Sequence, residues 1–197
     1  MKAVTRQCGD CQLCCKLLPV RSPLLDKNSN TKCPHQKFKI GCLVYNSARM
    51  PPECSLWNCR WLVDDAGGTS RPDRSHIVID LMPDFITGTD NETGVQINIE
   101  VVQCWIDPRY PDAHRDPAFR AYVYEQAEKY NRVALIRYNA RDAFTLVAPP
   151  LNNGKWLEHR EGESLERTHS ASEIFDALGE HQIITTIGTS HPPEDKT

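Results

Sequence analysis

The sequence has no apolar run approaching the roughly 18–20 residues that a membrane helix needs, and it has no dense Lys/Arg run. The first absence gives no support to a membrane partner. The second, with a formal net charge of −3 at pH 7, leaves a nucleic-acid partner without electrostatic support. Met1 to Cys8 contains basic residues but neither the apolar core nor the small-residue cleavage site of a secretory signal, so a cytoplasmic location is expected. Gly67-Gly68 reads as an ordinary linker, and no glycine-rich phosphate loop is present. There is no nucleophile–base pattern, no internal repeat and no low-complexity tract. After residue 59 the chain has a single cysteine, Cys104.

What the chain does have is thiols at its start. Eight of nine cysteines lie in the first third: Cys8, Cys11, Cys14, Cys15, Cys33, Cys42, Cys54 and Cys59. The 197 residues suit one domain, or one domain with a small satellite. A hydrophobic fraction of 40% permits a core, while 14 Pro and 10 Gly imply a loop-rich part. In a reducing compartment thiols persist as thiols, so the cluster points to bound metal rather than to disulfides.

Zinc and iron–sulfur clusters both take thiolate ligands, and a C-x2-C pair reaches one metal from a single turn. Cys8, Cys11 and Cys14 stand at spacing three. Cys14 and Cys15 are neighbours whose side chains diverge, so they are expected to serve different metals or different irons of one cluster, or one of them to pack in the core. Eight thiolates divide into two sites of four. One partition places part of the first group with Cys33 and Cys42 and the rest with Cys54 and Cys59; the spacing leaves this open. Cys104 reads as a core thiol in a strand. His35, two residues after Cys33, could be a ligand but reads rather as a donor near the site or a solvated residue, because eight thiols already suffice for two sites. His76, His114, His159, His169, His181 and His191 show no metal spacing and read as surface or sheet histidines. Trp57 and Trp61 flank Cys59 and are expected to pack around the site, where an apolar shell controls solvent access and potential.

Cys8-x2-Cys11-x2-Cys14-Cys15, Lys32-Cys33-Pro34-His35, Gly41-Cys42-Leu43-Val44-Tyr45, Arg49, Pro51 and Cys54-x2-Trp57-x-Cys59-x-Trp61 together resemble the CxxCxxCC cysteine-cluster family of bacterial proteins, over about residues 8–62. Met50 stands between Arg49 and Pro51, where that family usually reads Arg-Pro. The resemblance implies a zinc- or iron-chelating module. A related cluster in flagellin lysine methylases is linked to an iron–sulfur centre.

The expected fold is α+β. An irregular cysteine-rich, metal-bound N-terminal module (residues 1–65) precedes an antiparallel sheet with one or two packed helices (66–187) and a disordered tail (188–197). Within the module, 11–18 is expected to make a helical turn ended by Pro19. Residues 22–31 read as a polar segment turning at Asn28–Asn30. Residues 53–64 read as a helix burying Leu56, Trp57, Trp61 and Leu62, and Ala66 to Pro72 as a linker or turn. Further on, 75–82 and the alternating run 94–106 read as the two strands of an antiparallel hairpin, with turn chemistry over 87–94. Residues 107–116 form a polar loop able to line a substrate site.

Asp116 is the expected N-cap of a helix over 117–131, with Pro117 at its first position and a stripe of Phe119, Tyr122, Val123, Ala127 and Tyr130. Residues 133–138 and 143–148 read as a hairpin. Ser170-Ala-Ser-Glu173 is a capping box opening another helix, and 182–187 a last strand. The expected ligands are zinc (about two ions) or an iron–sulfur cluster, with an unknown protein or small molecule as partner. No catalytic residue is indicated.

Overall fold

The computed structural model describes residues 4–63, 65–82, 84–90, 93–160 and 183–186. The cysteine-rich region is built from very short elements. Helix α1 (Leu13–Leu17) buries Leu13 and Leu17 one turn apart, and its chain leaves into extended backbone at Leu18, just ahead of Pro19. Two small hairpins follow, β1 (Val20–Ser22) with β2 (Leu25–Lys27) and β3 (Gln36–Lys37) with β4 (Gly41–Cys42). The first occupies part of the segment expected to be merely polar. Gly41 has φ +107°, and an added Cβ would land on the Gly9 carbonyl. Only glycine permits that approach, so the tight bend before Cys42 also holds the loop after Cys8.

The expected helix over 53–64 divides. Helix α2 (Pro52–Leu56) has Pro51-Pro52 at its start, and Arg60–Val63 forms a separate 3-10 turn. Between them Cys59 bridges to Asp80 and the Trp57 indole donates to the Asp80 carboxylate at 2.8 Å. These tertiary partners override local helical character. They also leave Leu56, expected to be buried, 71% exposed. The expected linker is likewise packed. Ala66 and Thr69 are buried. Gly67, at φ +55°, would put a Cβ 2.7 Å from the Tyr122 ring. Gly67→Ala should therefore cost about 2–3 kcal/mol from left-handed strain and overpacking, read by urea unfolding; an unchanged midpoint would show that the loop does not seat on Tyr122.

Helix α3 (Pro72–Ser75) leads through His76, at φ 61°, into β5 (Ile77–Ile79). Strand β6 (Asp84–Asp90) pairs antiparallel with β7 (Gln96–Ile106), so 87–90 of the expected turn is strand and β6 takes the hairpin position expected for 75–82. Strand β5 pairs antiparallel with the far end of β7 instead, Ile77 opposite Ile106. Helix α4 (Pro117–Tyr130) is capped as the sequence predicts, with the Asp116 carboxylate accepting from the Phe119 N–H at 3.0 Å. Tyr130, placed on its apolar stripe, is instead exposed, with the Arg132 guanidinium 5.1 Å from its ring centre.

Strands β8 (Val133–Arg137) and β9 (Ala143–Val147) form the second hairpin. Strand β10 (Leu157–His159) pairs with β9, and β11 (Ile183–Thr186) pairs with β6. The helix expected after Ser170 and the tail 188–197 lie outside the described residues.

The class is α+β, with one departure from the all-antiparallel expectation. Strands β7 and β8 run parallel, Val101 opposite Val133. Parallel neighbours need a crossover, and α4 supplies it. Strand β7 is the middle of the sheet and is buried continuously from Val101 to Asp107. Val102, Cys104 and Ile106 join the main core with Phe119 and Val123 of α4. Trp105, on the opposite face of the strand, joins Val78, Leu13, Leu17, Cys11, Cys59 and Leu62. The cysteine-rich region thus packs on the face of the sheet away from α4.

Candidate metal centre

All nine cysteines are free thiols. Eight converge from separate stretches into two adjoining groups. Cys8, Cys11, Cys14 and Cys59 line one small apolar cavity with Trp61, Leu62 and Pro72. Cys33, Cys42 and Cys54 each feel the charge of Cys15, and Cys54 also that of Cys33 and Cys42, which associates these four; Cys42 feels Cys8 of the first group as well. This grouping differs from the partition considered above. Cys54 stands with Cys33 and Cys42, while Cys59 returns to the first group because its strand bridge to Asp80 draws it onto the sheet.

The helix geometry of α1 explains why neighbours separate. Successive residues on an α-helix point about 100° apart, so Cys14 faces the first group and Cys15 the second. Their sulfurs remain 4.0 Å apart, and the two groups adjoin there. Among the described residues, no three Cys, His, Asp or Glu side chains close on one point as a finished metal cage.

The backbone around the sulfurs is more specific. Cys8, Cys33, Cys42 and Cys59 each open a tight turn, their carbonyls accepting from the N–H groups of Cys11, Gln36, Tyr45 and Leu62 at 3.1, 3.1, 3.4 and 3.0 Å. Neighbouring backbone N–H groups favour the thiolate form at four of the sulfurs: Leu13 and Asp73 at Cys11, His35 and Gln36 at Cys33, Val44 at Cys42, and Leu62 and Trp61 at Cys59.

Burial works in the opposite direction. It pushes Cys11 up to about 12 and Cys54 and Cys59 up to about 11, and it raises Cys33 and Cys42. Beside the Cys14 sulfur, Cys15 is drawn down to about 7 and Cys8 is lowered, while Cys14 itself rises well above the ordinary value.

Two cations missed in the sequence hold this arrangement. The Lys27 ammonium, in a residue 6% exposed, donates to the carbonyls of Thr31, Asn28 and Lys16 at 3.1, 3.3 and 3.4 Å and to that of Leu18. Burial lowers its pKa, opposed by the charges of Cys33, Cys15, Cys14 and Cys54. Arg71 reaches Asp10, inside the Cys8–Cys11 turn, at 2.8 Å and Asp73 at 2.6 Å. A basic residue after an apparent linker carries no signal of this, although Asp10 between two cysteines invites a cation. Replacing Lys27 by Met should cost about 1–3 kcal/mol, because the carbonyls lose their donor. Denaturant unfolding of K27M beside the exposed control K37M checks this, with the larger loss expected in K27M.

The remaining sequence candidates fall elsewhere. Cys104 is a core thiol, 0% exposed. His35 serves through its backbone, donating toward Cys33 and accepting from the Leu43 N–H at 2.8 Å. Trp61 lines the first group, and Trp57 packs beside it. The loop considered as a substrate site is tied down. The Asp107 carboxylate is fully enclosed between Lys16 (2.8 Å) and Arg109 (2.7 Å). His114, placed among surface or sheet histidines, is buried, with Nε2 3.0 Å from Glu158 and Nδ1 2.9 Å from the Pro111 carbonyl. Comparison of the chain with family models, with curated proteins and with solved structures returns no match.

Proposed function

We propose that the N-terminal region binds metal through two four-thiolate sites, Cys8, Cys11, Cys14 and Cys59 forming one and Cys15, Cys33, Cys42 and Cys54 the other. The observation that carries this reading is the convergence of Cys8, Cys11, Cys14 and Cys59 on one small apolar cavity, with the Cys15 sulfur 4.0 Å from that of Cys14. A metal would deprotonate sulfurs that burial otherwise keeps neutral. Zinc, about two ions, suits two tetrahedral sets of thiolates. The cysteine-cluster resemblance supports the same donor set. No catalytic residue is assigned.

An iron–sulfur cluster is the second reading, favoured by the apolar lining that Trp61, Leu62 and Pro72 give the first group. Such a lining excludes water and tunes potential.

Anaerobic purification followed by zinc, iron and sulfide analysis and an absorption spectrum separates the two. About two zinc ions per chain, colourless and without iron, supports the structural reading. Iron with matching sulfide and broad visible absorbance supports the cluster. Protein that takes up neither, even on reconstitution, overturns both.

A further inference from the structure

The hairpin of β3 and β4 ends in a tip, Lys37-Phe38-Lys39-Ile40, whose side chains are exposed, with the Lys39 ammonium 5.5 Å from the Phe38 ring centre. Phe38 is 75% exposed and Ile40 57%. Lys39 adopts φ 60°, which throws the tip outward. The turn is nonetheless anchored: the Gln12 side chain donates to the Lys37 carbonyl, and the Gln36 side chain donates to Gln12 at 2.7 Å. No acidic residue occurs between Asp26 and Glu53. Lys32, Lys37, Lys39 and Arg49 in this stretch are all exposed, and among the described residues none has an ion-pair partner. In a chain of net charge −3, this segment is a local cationic surface with two large apolar side chains at its apex.

We propose that this tip docks peripherally on an anionic lipid surface. The lysines would meet the headgroups while Phe38 and Ile40 enter the boundary of the acyl region. Charge complementarity selects an anionic partner. The shape selects among anionic partners: the apolar groups project from a convex turn. A fluid bilayer accepts such a wedge without a matching pocket. An aliphatic Ile40 beside Phe38 also suits lipid better than stacked bases. Among the described residues no helix is long and apolar enough to cross a membrane, and peripheral docking needs none. The tip lies within residues 4–63, so the inference needs that region folded but not any particular metal.

The test is sedimentation of the full-length protein with vesicles of phosphatidylcholine alone or with about one third phosphatidylglycerol. Binding to the anionic vesicles is expected, falling with added salt and at least tenfold weaker on the neutral ones. F38S/I40S should lose about tenfold or more. K37Q/K39Q should lose about 25-fold, from roughly fivefold per lysine. Both pairs are exposed, so the melting temperature should hold. No binding to anionic vesicles would overturn the proposal. Binding that K37Q/K39Q abolishes and F38S/I40S leaves intact would also overturn it, in favour of an acidic macromolecule read by charge alone.

Discussion

Removing metal from the proposed sites is expected to unfold the cysteine-rich region and leave the sheet standing. The region has little else to hold it. Its apolar cluster comprises Leu13, Leu17 and Leu62 with two thiols, bordered by half-buried Leu18, Trp57 and Trp61 and completed by Val78 and Trp105 from the sheet. A module of this size rarely gains more than about 3–5 kcal/mol from its core, whereas a structural zinc in a small domain contributes about 10–16 kcal/mol. Amide exchange before and after a thiol-compatible chelator checks this. Residues 4–63 should lose protection, and β7, β8 and α4 should keep it. Cys59→Ser should reproduce half of the effect, because it opens one site and also sits at the bridge to Asp80. If exchange is unchanged after the chelator has removed all metal, the region is held by packing and the metal is incidental.

Asp107→Ala is expected to be the most damaging substitution outside the thiols, at about 3–5 kcal/mol. The carboxylate is fully enclosed, and Lys16 comes to it from α1 beside the paired cysteines. The substitution deletes the hydrogen bonds from Lys16 and Arg109 to a charged acceptor, each worth about 1.5–3 kcal/mol. Burial alone would raise the Asp107 pKa, but Arg109 and Lys16 outweigh it and hold the carboxyl well below the usual range. The contribution is therefore fully present above the unfolded value, near ~4, and is lost as pH falls from there toward the lower folded value. Asp107→Asn should flatten stability against pH below about 4 relative to the parent protein, measured by denaturant midpoints across that range. Parallel curves for the two proteins would remove Asp107 from the account.

Much of the sheet was legible because its periodicities are local. The β7 run, the α4 cap at Asp116 and the hairpin after Val133 each carry their signal within about fifteen residues. What escaped was set by partners far along the chain. The break between α2 and the 3-10 turn depends on Asp80, and the seating of Gly67 depends on Tyr122. The parallel pairing of β7 with β8 depends on which face α4 crosses.

The thiol set followed the same rule. The sequence marks which eight cysteines cluster, and a helical turn at Cys14–Cys15 predicts that neighbours diverge. It does not carry the pairing of Cys59 with the first group, which follows from a strand bridge 21 residues away. Lys27 and Arg71 left no pattern, since each acts through backbone carbonyls or carboxylates that only the fold assembles.

The central claim is that eight thiols form two separate sites with this partition. Metal content per chain, measured for the parent protein, Cys11→Ser, Cys54→Ser and the double variant after identical anaerobic purification, tests it directly. The account predicts that each single variant keeps about half of the parent's metal and that the double variant keeps almost none. Cys11→Ser and Cys8→Ser should lose the same half, and Cys54→Ser and Cys33→Ser the other. The two halves can be told apart by whether the Trp61 fluorescence responds to metal. A single substitution that removes all the metal, or one that removes none, would contradict it.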